Sequence, residues 1–230
     1  MHQKEGKSNK LIFYLFLLIL FSSINNKIIN EKKNSLLKID EIKVIGLSKE
    51  ENNKLSNEFK KFFFQNILLI SENTFKNILN ENSLVQSFSV KKKYPNSIQI
   101  NIKKADLLAI TNFNNKKYFI GSNGKLIDYS NQKNQKKLPF VFGKIDYKNF
   151  VNFKKNIDKS DFDYDKIDLI YYFPNNRWDI KTQDEILIKL PEKNYLSALN
   201  FANKVMYNKM LINSKMLDLR ISDKLIVSNE

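Results

Sequence analysis

Few residues in this chain can do chemistry, and they are scattered. Its 230 residues include no cysteine and a single histidine, His2, in a polar N-terminal tail. That excludes a thiolate nucleophile and a disulfide, and removes the commonest metal ligands and acid–base groups. With only 5 glycines there is no glycine-rich phosphate cradle. Acidic residues gather at Asp184-Glu185 and between Asp161 and Asp165, but no calcium-type ligand loop surrounds either group. They read as loop acids. The sequence therefore predicts a protein that is not an enzyme, with no catalytic residue, no metal, no cofactor and no small-molecule substrate.

A formal net charge of +15 can mark a binder of nucleic acid or anionic lipid. Here lysine and asparagine are spread along the whole length, and arginine occurs only at Arg177 and Arg220. The charge reads as solvated lysines, with no nucleic-acid partner. An apolar fraction of 42% with 18 phenylalanines is enough to fill real cores in one or two domains.

The stretch most informative about architecture is residues 90–102. Phe88, Val90 and Tyr94 stand at even positions before Pro95, and Ile98, Ile100 and Ile102 at even positions after it. Two period-2 runs around Pro95-Asn96 predict an amphipathic β-hairpin with a three-residue loop. Upstream, Ile39, Ile42 and Val44 lead to Gly46 as a strand ending in a turn. Ser48 and Glu51 have capping-box spacing, and Leu55, Phe59, Phe62 and Phe63 follow at helical spacing. A second helix is expected after Ser71, with Ile70 and Phe75 placed as a hydrophobic staple and Ile78 and Leu79 facing inward. The order is β-α-α-β-β.

At the start of the chain, Leu11 to Phe21 is unbroken apolar sequence. Leu11 to Ile24 would span about 21 Å as a helix, short of the roughly 30 Å hydrocarbon core. A cleavable signal peptide fits the length of the run, although no small-x-small cleavage site follows. A signal anchor fits if the helix continues to about Ile28 past Asn25, Asn26 and Lys27. Either way the remainder is exported. The expected organisation is a cytoplasmic tail at 1–10, a transmembrane signal anchor at 11–29, a linker at 30–37, and two domains at 38–106 and 107–230.

The phrase Val85…Phe88-Ser-Val90…Tyr94-Pro-Asn-Ser-Ile98, together with Val44-Ile-Gly46, resembles the POTRA domain of the FtsQ/DivIB family of bacterial cell-division proteins. The second half continues the likeness in Tyr118-Phe-Ile-Gly-Ser-Asn-Gly-Lys-Leu-Ile127 and Leu138-Pro-Phe-Val-Phe-Gly143. Arg177-Trp-Asp-Ile180 is similar to the family's Arg-Trp-Asp-Leu strand, with Ile186 to Leu190 as its hairpin partner. Leu217-Asp-Leu-Arg220 is similar to the family's Asp-Leu-Arg strand. The chain departs from the family pattern at Lys103-Lys-Ala-Asp-Leu107, at Gly121 and at Gln183-Asp184. The resemblance implies an α+β protein with a single N-terminal transmembrane helix, a POTRA domain, and a mixed β domain with a C-terminal helix and an edge strand. It further implies a single-pass inner-membrane protein at the division septum, with its N-terminus in the cytoplasm and its body in the periplasm. Its work would be scaffolding: holding FtsB/FtsL-like coiled-coil proteins and other divisome components, and recruiting and regulating septal peptidoglycan synthesis. A POTRA-bearing component of outer-membrane protein insertion or secretion is the alternative, although such proteins usually carry several POTRA copies.

The expected docking edge is the strand Lys224-Leu225-Ile226-Val227-Ser228, which follows residues 217–221 across Ser222-Asp223. Three consecutive apolar residues on an uncovered edge are an aggregation hazard that proteins normally blunt. A partner strand that pairs with the edge would remove the hazard. Arg220, offset by one from Leu217, Leu219 and Ile221, is expected to pair with Asp218 or Asp223 or to face the partner. Trp178 is expected in the core.

Overall fold

The computed structural model describes residues 6–22, 36–130, 137–207, 215–221 and 226–228. Within them lie five helices, α1 Gly6–Ser22, α2 Lys49–Phe59, α3 Asn73–Glu81, α4 Tyr147–Lys159 and α5 Tyr195–Tyr207. The strands are β1 Glu41–Ile45, β2 Val85–Lys93, β3 Ser97–Lys104, β4 Leu107–Phe113, β5 Lys116–Gly121 and β6 Leu126–Asp128. They continue with β7 Phe140–Phe142, β8 Ile167–Tyr172, β9 Trp178–Thr182, β10 Leu187–Lys189, β11 Met216–Asp218 and β12 Ile226–Ser228. Two sheets form: three strands in the order β1-β3-β2, and nine in the order β12-β11-β10-β9-β8-β7-β4-β5-β6. The protein is α+β.

The expected membrane-spanning helix is not found among the described residues. No helix of the described residues is long and apolar enough to cross a membrane. Helix α1 has 17 residues, and the first five, Gly-Lys-Ser-Asn-Lys, are polar. A helix of that length reaches about 25 Å, and its apolar part less, against a hydrocarbon core of about 30 Å. The anchor placed at residues 11–29 is therefore corrected, and the single-pass topology drawn from it falls too. Residues 23–35, which carry the expected extension and most of the linker, lie outside the described residues.

The chain divides into two compact units, Met1–Thr74 with Val90–Ile100, and Phe75–Ser89 with Asn101–Glu230. In the first, β1 alternates, with Ile42 and Val44 buried. Helix α2 opens on a complete capping box: Ser48 Oγ accepts from the Glu51 N–H at 3.3 Å, and Glu51 Oε2 accepts from the Ser48 N–H at 2.9 Å. Leu55 and Phe59 form its inner face, and a 3-10 turn at Lys60–Phe62 buries Phe62. The chain then reverses at Phe64, whose φ of 64° is a left-handed conformation that costs a bulky residue of order 1–3 kcal/mol. Hydrogen bonds from the Phe64 N–H to the Ile39 carbonyl (2.8 Å) and from the Ile39 N–H to the Gln65 carbonyl (3.0 Å) hold it there. The three-residue connection between β2 and β3 contains a cis Tyr94–Pro95 bond.

The second unit is built on register. Val141, Ile170, Ile180, Ile188, Leu217 and Val227 are consecutive partners from β7 through to β12. All of them but Val227 join Phe150, Phe153 and Ile157 of α4 and Leu199, Ala202 and Val205 of α5 in one buried cluster. Trp178 is part of it, 4% exposed, with its indole stacked on Phe153 at 4.3 Å and an interplanar angle of 8°. Helix α4 is started by Asp146, whose carboxylate accepts from the Lys148 N–H at 3.1 Å. Gly143, at φ +113°, sits where an added Cβ would lie 2.4 Å from the Tyr172 carbonyl oxygen. No larger residue fits there without moving backbone.

At the far end of this sheet, Phe119, Ile127 and Ala105 form a second small cluster with Leu84, Leu107, Ile110 and Leu138. The β5–β6 turn fastens it. Asn123 Nδ2 donates to the Ser83 and Val85 carbonyls at 2.8 and 3.0 Å, and its Oδ1 accepts from the Lys125 N–H at 3.1 Å. Lys125 Nζ adds bonds to the Asn80 and Asn82 carbonyls. Each such bond is worth about 0.5–1.5 kcal/mol net, more where a carbonyl is left dry. Asn123→Ala should therefore lower the stability of this unit by about 1–3 kcal/mol, read as a fall in urea midpoint at unchanged m-value. An unchanged midpoint would show that water replaces the amide without loss.

Candidate partner-binding edge

Strand β12 is the outermost strand of the nine-stranded sheet and pairs antiparallel with β11: Met216 with Ser228, Leu217 with Val227, Asp218 with Ile226. Among the described residues no strand lies beyond it. Which of its main-chain groups face outward follows from the neighbouring ladder. Leu187 N–H donates to the Lys215 carbonyl at 2.8 Å, and Leu219 N–H to the Lys189 carbonyl at 2.9 Å. The Lys215 carbonyl and the Leu219 N–H thus face β10, whereas the Lys215 N–H donates to the Ser228 carbonyl at 2.9 Å, which turns that carbonyl of β12 inward to β11. In an antiparallel pair the hydrogen-bonded residues alternate with the others. Ile226 and Ser228 therefore face inward to β11, and the N–H and C=O of Val227 lie on the open side.

The side chains follow the same alternation. Val227 belongs to the helix-covered row and is 41% exposed only because the sheet ends there. Ile226 lies on the opposite face, 47% exposed, at the end of a second row: Phe142, Tyr171, Asp179, Lys189, Asp218, Ile226. This face is aromatic toward β7, where Phe142 stacks on Tyr171 at 5.4 Å, and charged toward β11. A surface depression of about 530 Å³ opens on it, lined by Tyr171, Phe173, Arg177, Asp179, Lys181, Leu187 and Lys189.

Two arginine–aspartate pairs shape this face. Arg220 grips Asp218 with Nε at 2.9 and 3.0 Å from the two carboxylate oxygens and Nη2 at 2.6 Å, and its backbone N–H adds a fourth bond at 3.1 Å. These bonds outweigh burial and hold the Asp218 carboxyl below the usual carboxylate range. Arg177 Nε reaches Asp179 Oδ1 at 3.2 Å, while its guanidinium lies 4.1 Å from the centre of the Phe173 ring. Burial of Asp179 is the stronger influence there, and it pushes that carboxyl up despite Arg177.

Of the expected docking residues, the structure thus brings Ile226, Val227 and Ser228 together on the edge, with Arg220 on the loop that follows β11. Lys224 and Leu225 lie outside the described residues, as does Asp223. Arg177, Asp179 and Lys189 were not expected as part of this surface. The signal for them is a polar residue between apolar ones in Trp178-Asp179-Ile180 and Ile188-Lys189-Leu190, but only the register shows that they stand side by side.

Comparison with known proteins points the same way as the sequence motifs. Residues 109–220, from β4 through to Arg220, match the model of the cell division protein FtsQ/DivIB C-terminal domain. The cell division protein FtsQ of Rickettsia felis is 27% identical over 167 residues, covering 69% of this chain and 60% of the relative. The Rickettsia conorii and Rickettsia bellii proteins of the same name are 26% and 28% identical, over the same shares of both chains. These likenesses support an FtsQ/DivIB family protein, with the C-terminal domain of that family at residues 109–220. The match spans about 60% of the length of the curated FtsQ relatives. A solved structure, the major extracytoplasmic domain of the trans isomer of DivIB from Geobacillus stearothermophilus, aligns at 12% identity over 46% of this chain and 95% of that one, with a TM-score of 0.34.

The edge of this FtsQ/DivIB C-terminal domain makes a pH-dependent prediction. A carboxyl depressed in the folded state contributes stability above its unfolded pKa of about 3.9, and that contribution is lost as pH falls through the lower folded value. Arg220→Ala should lower stability by about 1 kcal/mol at neutral pH, since Arg220 is partly exposed and its bonds are screened. In urea unfolding followed from neutral pH into acid, the gap between wild type and variant should close as Asp218 becomes protonated. A gap that stays constant with pH would mean that Arg220 acts through packing instead.

Proposed function

We propose that this chain is a non-enzymatic scaffold of the division machinery, whose C-terminal sheet edge takes an added strand from a coiled-coil partner of the FtsB/FtsL type. The carrying observation is the open main chain of Val227, flanked by the half-exposed apolar side chains of Ile226 and Val227. A strand laid along β12 would satisfy that N–H and C=O and cover both side chains. Family likeness supports the setting: cell-division proteins of this family act with other divisome components at the septum. In this reading the β-α-α-β-β segment is the POTRA domain, and recruitment and regulation of septal peptidoglycan synthesis follow from the partners held. Arg220, committed to Asp218, keeps the end of β11 ordered beside the edge.

The register selects the substitution that tests this. Ile226→Pro would remove an inward N–H and break the β11–β12 ladder, so loss of binding by that variant would be ambiguous. Val227→Pro removes the outward donor and leaves both inward pairs in place, a position where an edge strand accepts proline. The main-chain bond lost with that donor is worth about 0.5–1.5 kcal/mol, so capture of the FtsB/FtsL-type pair should fall about two- to tenfold. Circular dichroism and the urea midpoint should stay near wild type. A folded Val227→Pro chain that captures the pair at full strength would place the docking surface elsewhere.

A further inference from the structure

The first unit carries an exposed apolar surface that the division edge does not use. Phe64 is 75% exposed, Leu68 54% and Leu69 85%, all within one loop after α2. These side chains are not loose ends. Ile67 and Ile70 of the same loop are buried, so the loop is anchored on either side of Leu68 and Leu69 and turns those two outward. The left-handed conformation of Phe64 has the same result. Backbone bonds fix the loop to residues 37–39, with Ile67 N–H donating to the Leu37 carbonyl at 2.8 Å. On the other side of that segment, Asp40 N–H donates to the Asn96 carbonyl at 3.0 Å, which sets the β2–β3 tip and the 62% exposed Tyr94 alongside.

Charge says what kind of surface fits. The two segments that form this end, residues 60–70 and 90–100, contain Lys60, Lys61, Lys91, Lys92 and Lys93 and no aspartate or glutamate. Lys92 Nζ bonds the Leu68 carbonyl at 3.3 Å, so positive charge stands directly behind the apolar tip. Of the acids close by, Asp40 is taken up by the amide of Asn96, and Glu58 and Glu72 flank the first segment at its two ends. Rigid apolar side chains ahead of a lysine rim, with a tyrosine at the margin, are the combination that settles into the headgroup region of an anionic bilayer. A protein groove would need matching acids and a fixed shape; an anionic lipid surface supplies negative charge without register.

We propose that this loop is a peripheral docking site for an anionic lipid surface, with Phe64, Leu68 and Leu69 entering the interface and the surrounding lysines meeting the headgroups. The chain has no cysteine, so one label can be placed unambiguously. Leu69→Cys in the full-length chain, carrying an environment-sensitive nitrobenzoxadiazole dye, reads the loop itself. Adhesion through α1 would leave that dye in water. With vesicles of phosphatidylglycerol and phosphatidylcholine, its emission should shift to the blue and be quenched by nitroxide lipids. The shift should be absent with phosphatidylcholine alone. Lys60→Gln with Lys61→Gln should raise the half-saturating lipid concentration about twenty-five-fold, since each lysine near an anionic surface contributes roughly a fivefold effect. The same dye on Glu50→Cys, at the exposed start of α2, should stay in water. No shift at position 69, or an equal shift at position 50, would overturn the proposal. A shift that grows with protein concentration in the absence of vesicles would assign the loop to a second copy of the chain and overturn it as well.

Discussion

Val141, Ile170, Ile180, Ile188, Leu217 and Val227 lie side by side across six strands, and their side chains must all go to the same place. Helices α4 and α5 provide it. Because side chains alternate along a strand, sending that row to the helices fixes the direction of every neighbouring residue, and a slip of one residue in any strand would turn isoleucine to water and aspartate into the core. Trp178 strengthens the constraint at its centre. It brings a large ring against Phe153 and Phe150 and fixes the distance at which α4 rides over the sheet.

The charged face is the consequence. Asp179, Lys189 and Asp218 stand in a line because the apolar row stands in a line behind them. In that setting the two aspartates behave differently. Asp218 receives four bonds from Arg220 and is held ionised, whereas Asp179 has a single bond from Arg177 and is dominated by burial. The pair nearer the open edge is thus the more firmly charged. Strand β12 closes the row on one side only, and its exposed side chains follow from being last in the sheet. Sheet edges with free main chain and apolar side chains are normally blunted. This one carries Ile226 and Val227 at the boundary between a dry core and a charged surface, which suits a partner that brings its own strand.

Local features were legible in the sequence, and long-range ones were not. The Ser48 and Glu51 spacing became a complete capping box, the alternation around Pro95-Asn96 became the β2–β3 hairpin, Trp178 went to the core, and Arg220 took Asp218 as partner. Each of these depends on residues a few positions apart, or on plain hydrophobicity. The second helix began one residue later than a cap at Ser71 implied, and the Ser71 hydroxyl lies 3.4 Å from that of Thr74. The capping aspartate of α4, Asp146, went unread because nothing in its spacing distinguishes it from a loop acid. The anchor expected at residues 11–29 is not supported by a 17-residue helix whose first five residues are polar, and its expected extension lies outside the described residues. The outward direction of Val227, rather than of Ile226, depends on the hydrogen bond from the Lys215 N–H to the Ser228 carbonyl. No periodicity within β12 encodes that parity.

The two exposed apolar features differ in how their exposure is maintained, and this bears on what can cover them. Ile226 and Val227 are exposed by position: one more strand would bury them and satisfy a peptide group in the same act. Their natural complement therefore has strand direction, spacing and register. Phe64, Leu68 and Leu69 are exposed by construction, through an unfavourable backbone conformation at Phe64 that buried Ile67 and Ile70 and the bonds to residues 37–39 maintain. Strain of that kind survives only where the surrounding structure fixes it. The loop offers little free main chain for a partner strand, because its groups are already bonded to Leu37, Ile39 and Asn66. What it offers is side chains and charge. An edge that selects by main-chain geometry and a loop that selects by polarity can be occupied independently, since neither uses the groups of the other.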